Sequence, residues 1–149
     1  MKTEQARTAA YFDSSVLLKR YVREKGSDQA VDFMRRYLII SSAIAPLEMR
    51  SALRRLHAES GLSARAFQAT LARIQSERRK WDLVALSAEI LQSAERLTVD
   101  LNLRSLDCIH LACALTCQSR LRRRLLFITA DARQLECARN LDLEIVPIK

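Results

Sequence analysis

Hydrophobic positions along this chain fall into two patterns. Short, largely apolar runs at 8–12, 38–42, 81–86, 125–129 and 143–146 have the length of strands. Between them, apolar residues recur every three or four positions, as on one face of a helix. Val16, Leu17, Leu18, Tyr21 and Val22 predict a helix over 14–23, and Gly26-Ser27-Asp28 ends it and caps a second that reaches Tyr37. Pro46 suits the first turn of a third helix, whose apolar stripe is Ala45, Met49, Ala52, Leu53 and Leu56. Gly61 closes it. Ser63 caps a fourth helix to Lys80 with Ala64, Phe67, Leu71 and Ile74 on one face, so the short join makes an antiparallel hairpin. Ser87 caps a fifth helix and Ser105 a sixth, 106–118, which is apolar nearly all round and therefore central. Asp131 caps a last one. Strands alternating with helices predict an α/β fold: a mostly parallel sheet of about five strands with about seven helices over both faces. In such folds ligands sit at the carboxyl ends of the strands, where Asp13 and Asp131 fall.

Composition narrows this reading without changing it. At 149 residues the chain is expected to form one domain, with residues 1–7 a loose polar lead-in. Its longest uncharged stretch, 108–119, is far short of the roughly 20 apolar residues of a membrane-spanning helix. The N-terminus shows no apolar core of a secretory signal, so a cytoplasmic location and no membrane partner are expected. Cys108, Cys113, Cys117 and Cys137 form no CxxC pair and, with His57 and His110, no zinc spacing; they read as reduced core thiols. There is no phosphate-binding glycine loop.

Charge is more telling. Lys and Arg number 25 against 17 Asp and Glu, a net charge of +8, while aromatic residues make up only 5%. That balance favours attraction to a phosphate backbone over base-stacking platforms, with a solubility charge or an acidic protein partner as the alternatives. Against this basic background four acids lie in or beside apolar stretches: Asp13 after Ala9-Ala10-Tyr11-Phe12, Glu48 after Ala45-Pro46-Leu47, Asp107 before Cys108-Ile109-His110-Leu111-Ala112, and Asp131 after Phe127-Ile128-Thr129-Ala130. Each alone reads as a helix cap or a complement to a helix dipole. Gathered at one sheet edge they would repel one another unless a divalent cation neutralised them, and carboxylates suit a hard cation such as Mg²⁺. Such an ion activates water and stabilises the charge of a phosphoryl transition state. His110, one turn after Asp107, reads as a satisfied core histidine or as a catalytic base. Lys19, Arg20, Arg50, Arg54 and Arg133 flank the acidic motifs and are candidate phosphate contacts.

Taken in order, the segments Tyr11-Phe12-Asp13-Ser14-Ser15-Val16-Leu17-Leu18, Pro46-Leu47-Glu48-Met49-Arg50-Ser51-Ala52-Leu53, Leu106-Asp107-Cys108-Ile109-His110-Leu111-Ala112 and Phe127-Ile128-Thr129-Ala130-Asp131 resemble the four acidic motifs of PIN-domain proteins. The resemblance runs over 9–148 and is nearest to the small VapC-like toxins of prokaryotic toxin–antitoxin pairs. It implies a three-layer PIN-like sandwich and an Mg²⁺- or Mn²⁺-dependent endoribonuclease acting on RNA, often a homodimer held in check by a cognate antitoxin. By motif match, Asp13, Glu48, Asp107 and Asp131 are the metal-site acids, with Asp13 and Asp107 direct ligands and Glu48 a ligand or the group orienting the attacking water. Ser14 and Thr129 occupy the supporting hydroxyl positions. The hairpin face of Phe67, Leu71 and Ile74, with Arg78-Arg79-Lys80 at its end, lies in the region the resemblance implies for dimerisation and antitoxin binding. One departure stands out: the turn before the last strand is Asn140-Leu141-Asp142, where the family usually has glycine. The alternatives are a non-catalytic RNA-binding or regulatory module of the same fold, and an RNA or DNA processing nuclease without an antitoxin.

Overall fold

The first strand in the chain is the middle strand of the sheet, and this arrangement brings the acids to one edge. The computed structural model describes residues 7–149, so the expected lead-in lies, apart from Arg7, outside the described residues. Five strands, β1 (Ala9–Phe12), β2 (Leu38–Ser42), β3 (Asp82–Val84), β4 (Leu126–Thr129) and β5 (Glu144–Pro147), form one sheet in the order β3-β2-β1-β4-β5. Every pairing is parallel, as expected. Among the described residues seven α-helices connect them: α1 (Ser14–Leu18), α2 (Ser27–Arg36), α3 (Ala45–Glu59), α4 (Ala64–Glu77), α5 (Ala88–Asp100), α6 (Ser105–Leu121) and α7 (Ala132–Ala138).

Successive side chains of a strand point to opposite faces, and β1 divides the core accordingly. Tyr11 packs with Ile90, Ala94 and Leu97 of α5 and with Cys108, Leu111 and Ala112 of α6 on one side. Ala10 and Phe12 pack with Val16, Leu17, Ala30, Met34, Met49, Leu53 and Ile74 from α1 to α4 on the other. The result is three layers, with Ala10, Tyr11 and Phe12 of β1 buried between them. No helix among the described residues is long and apolar enough to cross a membrane. All four cysteines are free: Cys108 and Cys113 are buried, Cys117 and Cys137 half-buried.

Local signals placed the elements unevenly well. Ser63, Ser87 and Asp131 cap α4, α5 and α7 through their side chains. Ser105 does not cap α6; it is the first helical residue, the cap position belongs to extended Arg104, and no side-chain bond is made there. The first helix stops at Leu18 instead of residue 23, continuing as turns in which the amides of Lys19, Arg20 and Tyr21 bond three residues back. Arg78–Lys80 tightens into a 3₁₀ turn. The turn at Asn140-Leu141-Asp142 needs no glycine, because among the described non-glycine residues only Arg122 has positive φ. Gly26, by contrast, caps α2 at φ 86°. A Cβ there would stand 2.7 Å from Ile148 Cγ2. The apolar face of α4 is turned inward: Ile74 is buried, and Phe67 and Leu71 pack on the same cluster. That face is therefore partly engaged by the core, with Phe67 and Leu71 left half-buried.

The hairpin is tied to the segment after α1 by a polar cluster on Glu77. Arg20 Nε and the Tyr21 hydroxyl each donate to Oε2 at 2.7 Å, and Arg73 Nε donates to Oε1 at 3.1 Å. The Arg73 guanidinium also lies 5.1 Å from the centre of the Tyr21 ring. Burial alone would raise the Glu77 pKa, but the hydrogen bonds from Arg20 and Tyr21 and the Arg20 charge outweigh it and hold it at about 2, below its ordinary 4.5. A depressed carboxylate pKa stabilises the fold above the ordinary value and loses that contribution as pH falls toward the folded one. Glu77→Gln is therefore expected to cost about 1 kcal/mol near neutral pH, solvent screening included. Urea denaturation should show this gap closing between pH 4.5 and about 2.

Candidate active site

At their carboxyl ends β1 and β4 lie side by side, and Asp13 N donates to Ile128 O at 3.1 Å. Asp13 leaves the strand and caps α1, only 3% exposed. Its charge is met by a set of donors. Oδ1 accepts from Ser15 N at 2.6 Å, from Ser15 Oγ at 2.5 Å and from Val16 N at 3.4 Å. Oδ2 accepts from Thr129 Oγ1 at 2.6 Å. The Thr129 hydroxyl shares its hydrogen with Gln134 Oε1 at 3.0 Å and accepts from Asp131 N at 3.0 Å. Gln134, 1% exposed, donates from Nε2 to Asp107 Oδ1 at 3.1 Å. One polar chain thus runs from Asp13 through Thr129 and Gln134 to Asp107. Asp131 caps α7, accepting from Arg133 N at 2.8 Å.

Glu48 joins from the other side. In the first turn of α3, its Oε1 accepts from His110 Nε2 at 2.5 Å. The other ring nitrogen of His110, Nδ1, is 2.7 Å from the Tyr11 hydroxyl. His110 is 1% exposed, which makes it the satisfied core histidine of the two readings of the sequence. Burial pulls its pKa down, but the Glu48 hydrogen bond and the charges of Asp13, Glu48 and Asp107 raise it above the ordinary value. The carboxylates also act on one another. Burial raises the Asp107 pKa, and the nearby charges of Asp131 and Asp13 raise it further. Among the described residues no three His, Cys, Asp or Glu side chains, as placed, are close enough to share an ion. Their chemistry still suits one: they offer hard oxygens, and the repulsion felt at Asp107 is what a divalent cation would relieve.

The outer residues divide. Of the two serines after Asp13, it is Ser15 whose hydroxyl joins that of Thr129 on the carboxylate; among the described residues Ser14 makes no side-chain hydrogen bond. Of the candidate phosphate contacts, Lys19 and Arg20 are already engaged within the chain: Lys19 Nζ bonds Glu24 at 3.0 Å and Lys25 O at 2.8 Å, and Arg20 is held by Glu77. Arg50 and Arg54 are exposed on α3. Arg133, also exposed, lines a cleft of about 660 Å³ with Arg104 and Asn140, beside the start of α6. Arg104, whose charge draws the Asp107 pKa down, was not foreseen; nor were Ser15, Gln134 and Tyr11. Ser15, directly after Ser14, and Gln134, three residues past a capping aspartate, are legible only once Asp13 and Asp131 are known to face each other.

The match to known proteins covers the same span as these acids. The model of the PIN domain matches residues 10–140. The chain belongs to the PIN-domain family. Ribonuclease VapC46 of Mycobacterium tuberculosis is 34% identical to it over 140 residues, covering 93% of this chain and 96% of that protein. Among solved structures, a toxin–antitoxin complex from Klebsiella pneumoniae contains a chain that superposes with a TM-score of 0.63 at 17% identity, covering 95% of this chain and 98% of that one. VapBC2 from Rickettsia felis, bound to a DNA fragment from its promoter, does so at 0.67 and 9% identity, covering 95% and 100%. At those identities the superpositions speak for the PIN fold alone.

The hydroxyl between Asp13 and Gln134 yields a direct test of this PIN site. Thr129→Val keeps the shape and removes the hydrogen bond to Asp13 Oδ2, leaving a buried carboxylate oxygen short of a donor. The expected loss is about 1–3 kcal/mol in chemical denaturation of the metal-free protein, with Thr129→Ser close to wild type.

Proposed function

We propose that this chain is a divalent-metal-dependent endoribonuclease, the toxin of a toxin–antitoxin pair. What supports the reading is that the charges of Asp131 and Asp13 raise the Asp107 pKa, while Glu48 is tied through His110 to the helix that carries Asp107. The names of similar proteins point the same way, one a ribonuclease and one a toxin–antitoxin complex. Asp13 and Asp107 would hold Mg²⁺ or Mn²⁺, with Glu48 and Asp131 completing the acidic set. The ion supplies positive charge against the negative charge that develops on a phosphoryl group under attack. Arg50, Arg54, Arg104 and Arg133 would hold the RNA backbone around the acids, a contact that weakens as salt rises. Buried Cys108 and Cys113 are unsuited as nucleophiles: burial raises both thiol pKa values and so opposes the thiolate. An antitoxin partner, a homodimer and a cytoplasmic setting complete the reading.

Asp107→Asn tests it. The substitution should abolish cleavage of a mixed RNA substrate in Mg²⁺ or Mn²⁺ while the circular dichroism spectrum is kept. A carboxylate whose pKa is raised in the fold costs stability once ionised, so without metal Asp107→Asn should melt at the same temperature as wild type or higher. Wild-type cleavage by this variant would sink the assignment. Sedimentation at micromolar concentration should show a dimer, and, where a small gene adjoins this one, coexpression of the two should yield a copurifying partner.

A further inference from the structure

Glu48 has no covalent or backbone reason to point at the other acids. It sits on α3, its side chain is 20% exposed, and it has several rotatable bonds whose freedom must be given up if the carboxylate is to act at a fixed place. Asp13, Asp107 and Asp131 are tied together through Thr129 and Gln134, but that chain does not reach Glu48. What reaches it is His110 Nε2, at 2.5 Å. Behind His110 stands the Tyr11 hydroxyl, 2.7 Å from Nδ1, and behind Tyr11 the Phe127 ring, stacked at 5.4 Å and 7° between planes. Tyr11 is fully buried and His110 is 1% exposed, so neither touches an RNA strand.

We infer that Tyr11 and His110 are positioning residues for Glu48, holding one carboxylate oxygen so that the other is presented to the acidic edge. The arrangement works in either protonation state of the ring. A neutral imidazole that accepts from the Tyr11 hydroxyl at Nδ1 must carry its hydrogen on Nε2, where Glu48 accepts it; an imidazolium donates at both nitrogens. Without Tyr11 the neutral ring is free to place its hydrogen on Nδ1, and Nε2 then faces the carboxylate lone pair to lone pair. Oε2 of Glu48 meets no protein donor among the described residues, which leaves it for another partner. The pair also fits the geometry of the fold. Tyr11 lies two residues before Asp13 on β1, and His110 lies three after Asp107 on α6, so the elements that carry two of the acids also carry the support for the third. Sequence spacing shows neither contact, since 99 residues separate Tyr11 from His110 and 62 separate His110 from Glu48.

The inference rests on the metal-dependent reading for its consequence, and its test separates the two. In the metal-free wild type, long-range proton–nitrogen NMR of the His110 ring should show a hydrogen on Nε2, and Tyr11→Phe should shift the ring toward the Nδ1–H form. Mn²⁺ affinity of the free protein, measured by electron paramagnetic resonance, should fall about 10- to 100-fold in Tyr11→Phe and His110→Leu, the usual effect of losing support behind a ligand. His110→Gln, which keeps a donor near Nε2, should restore most of it. In a Glu48→Ala background neither Tyr11→Phe nor His110→Leu should lower the affinity further, whereas a general structural role would still lower it. A wild-type ring protonated only on Nδ1, or an equal loss with and without Glu48, would overturn the inference. Absence of Mn²⁺ binding by wild type would overturn the metal reading instead, while the nitrogen shifts still decide whether His110 holds Glu48.

Discussion

An ionised carboxylate at the end of a buried central strand is tolerated only where its lone pairs are met, because the cost of removing a charge from water otherwise runs to several kcal/mol. Asp13 is in that position, and much of the local architecture follows from it. Ser15 must follow at the first turn of α1 so that its amide and hydroxyl reach Oδ1. β4 must lie beside β1 so that Thr129 reaches Oδ2. The Thr129 hydroxyl is in turn engaged by the Asp131 amide and by Gln134, which fixes the start of α7. A single buried charge therefore sets the relation of two strands and two helices.

The second layer of organisation is α6. A helix apolar on nearly every side is covered by α5 and the sheet and cannot roll or slide without loss of packing. Asp107 and His110 ride on that helix, one half-buried at its first turn and one buried a turn later. Asp13, Asp107 and Asp131 are thus carried by rigid elements and joined by hydrogen bonds, while Arg50, Arg54 and Arg133, which make no ion pair among the described residues, lie on exposed surface. Rigidly carried acids and exposed cations fit the proposed nuclease, in which an ion would be held in one place and RNA strands of varied course accepted.

How much of this was legible in the sequence depended on distance along the chain. The strands could be read because buried parallel strands are short and apolar, and the caps at Ser63, Ser87 and Asp131 because a cap is a local bond. Ser105 misled because a serine before an apolar run marks a cap and a first turn alike. The helix after Asp13 was drawn too long because Tyr21 keeps helical spacing; it is held instead by its hydroxyl on Glu77, far away in α4. The acids announced themselves as charges among apolar residues. Their supports did not, since tyrosine, histidine, threonine and glutamine in or near apolar segments look like ordinary core or turn residues until the fold brings them together. Lys19 and Arg20 illustrate the converse: proximity in sequence to an acidic motif does not prevent a cation from being claimed by a nearer carboxylate.

The hydrogen bond from Thr129 to Asp13 spans 116 positions. Long closures of this kind are made late, because the chain between the two ends must first be ordered. During synthesis the residues appear in sequence order, and a nascent chain that has already delivered Asp13, Glu48 and Asp107 still lacks β4, the hydroxyl of Thr129 and the amide of Gln134. Until those arrive, β1 is without its neighbour on one side and Asp13 Oδ2 without its donor. The acidic edge is therefore a property of the nearly finished chain, and an interrupted or truncated product carries three of its four carboxylates without the framework that brings them together.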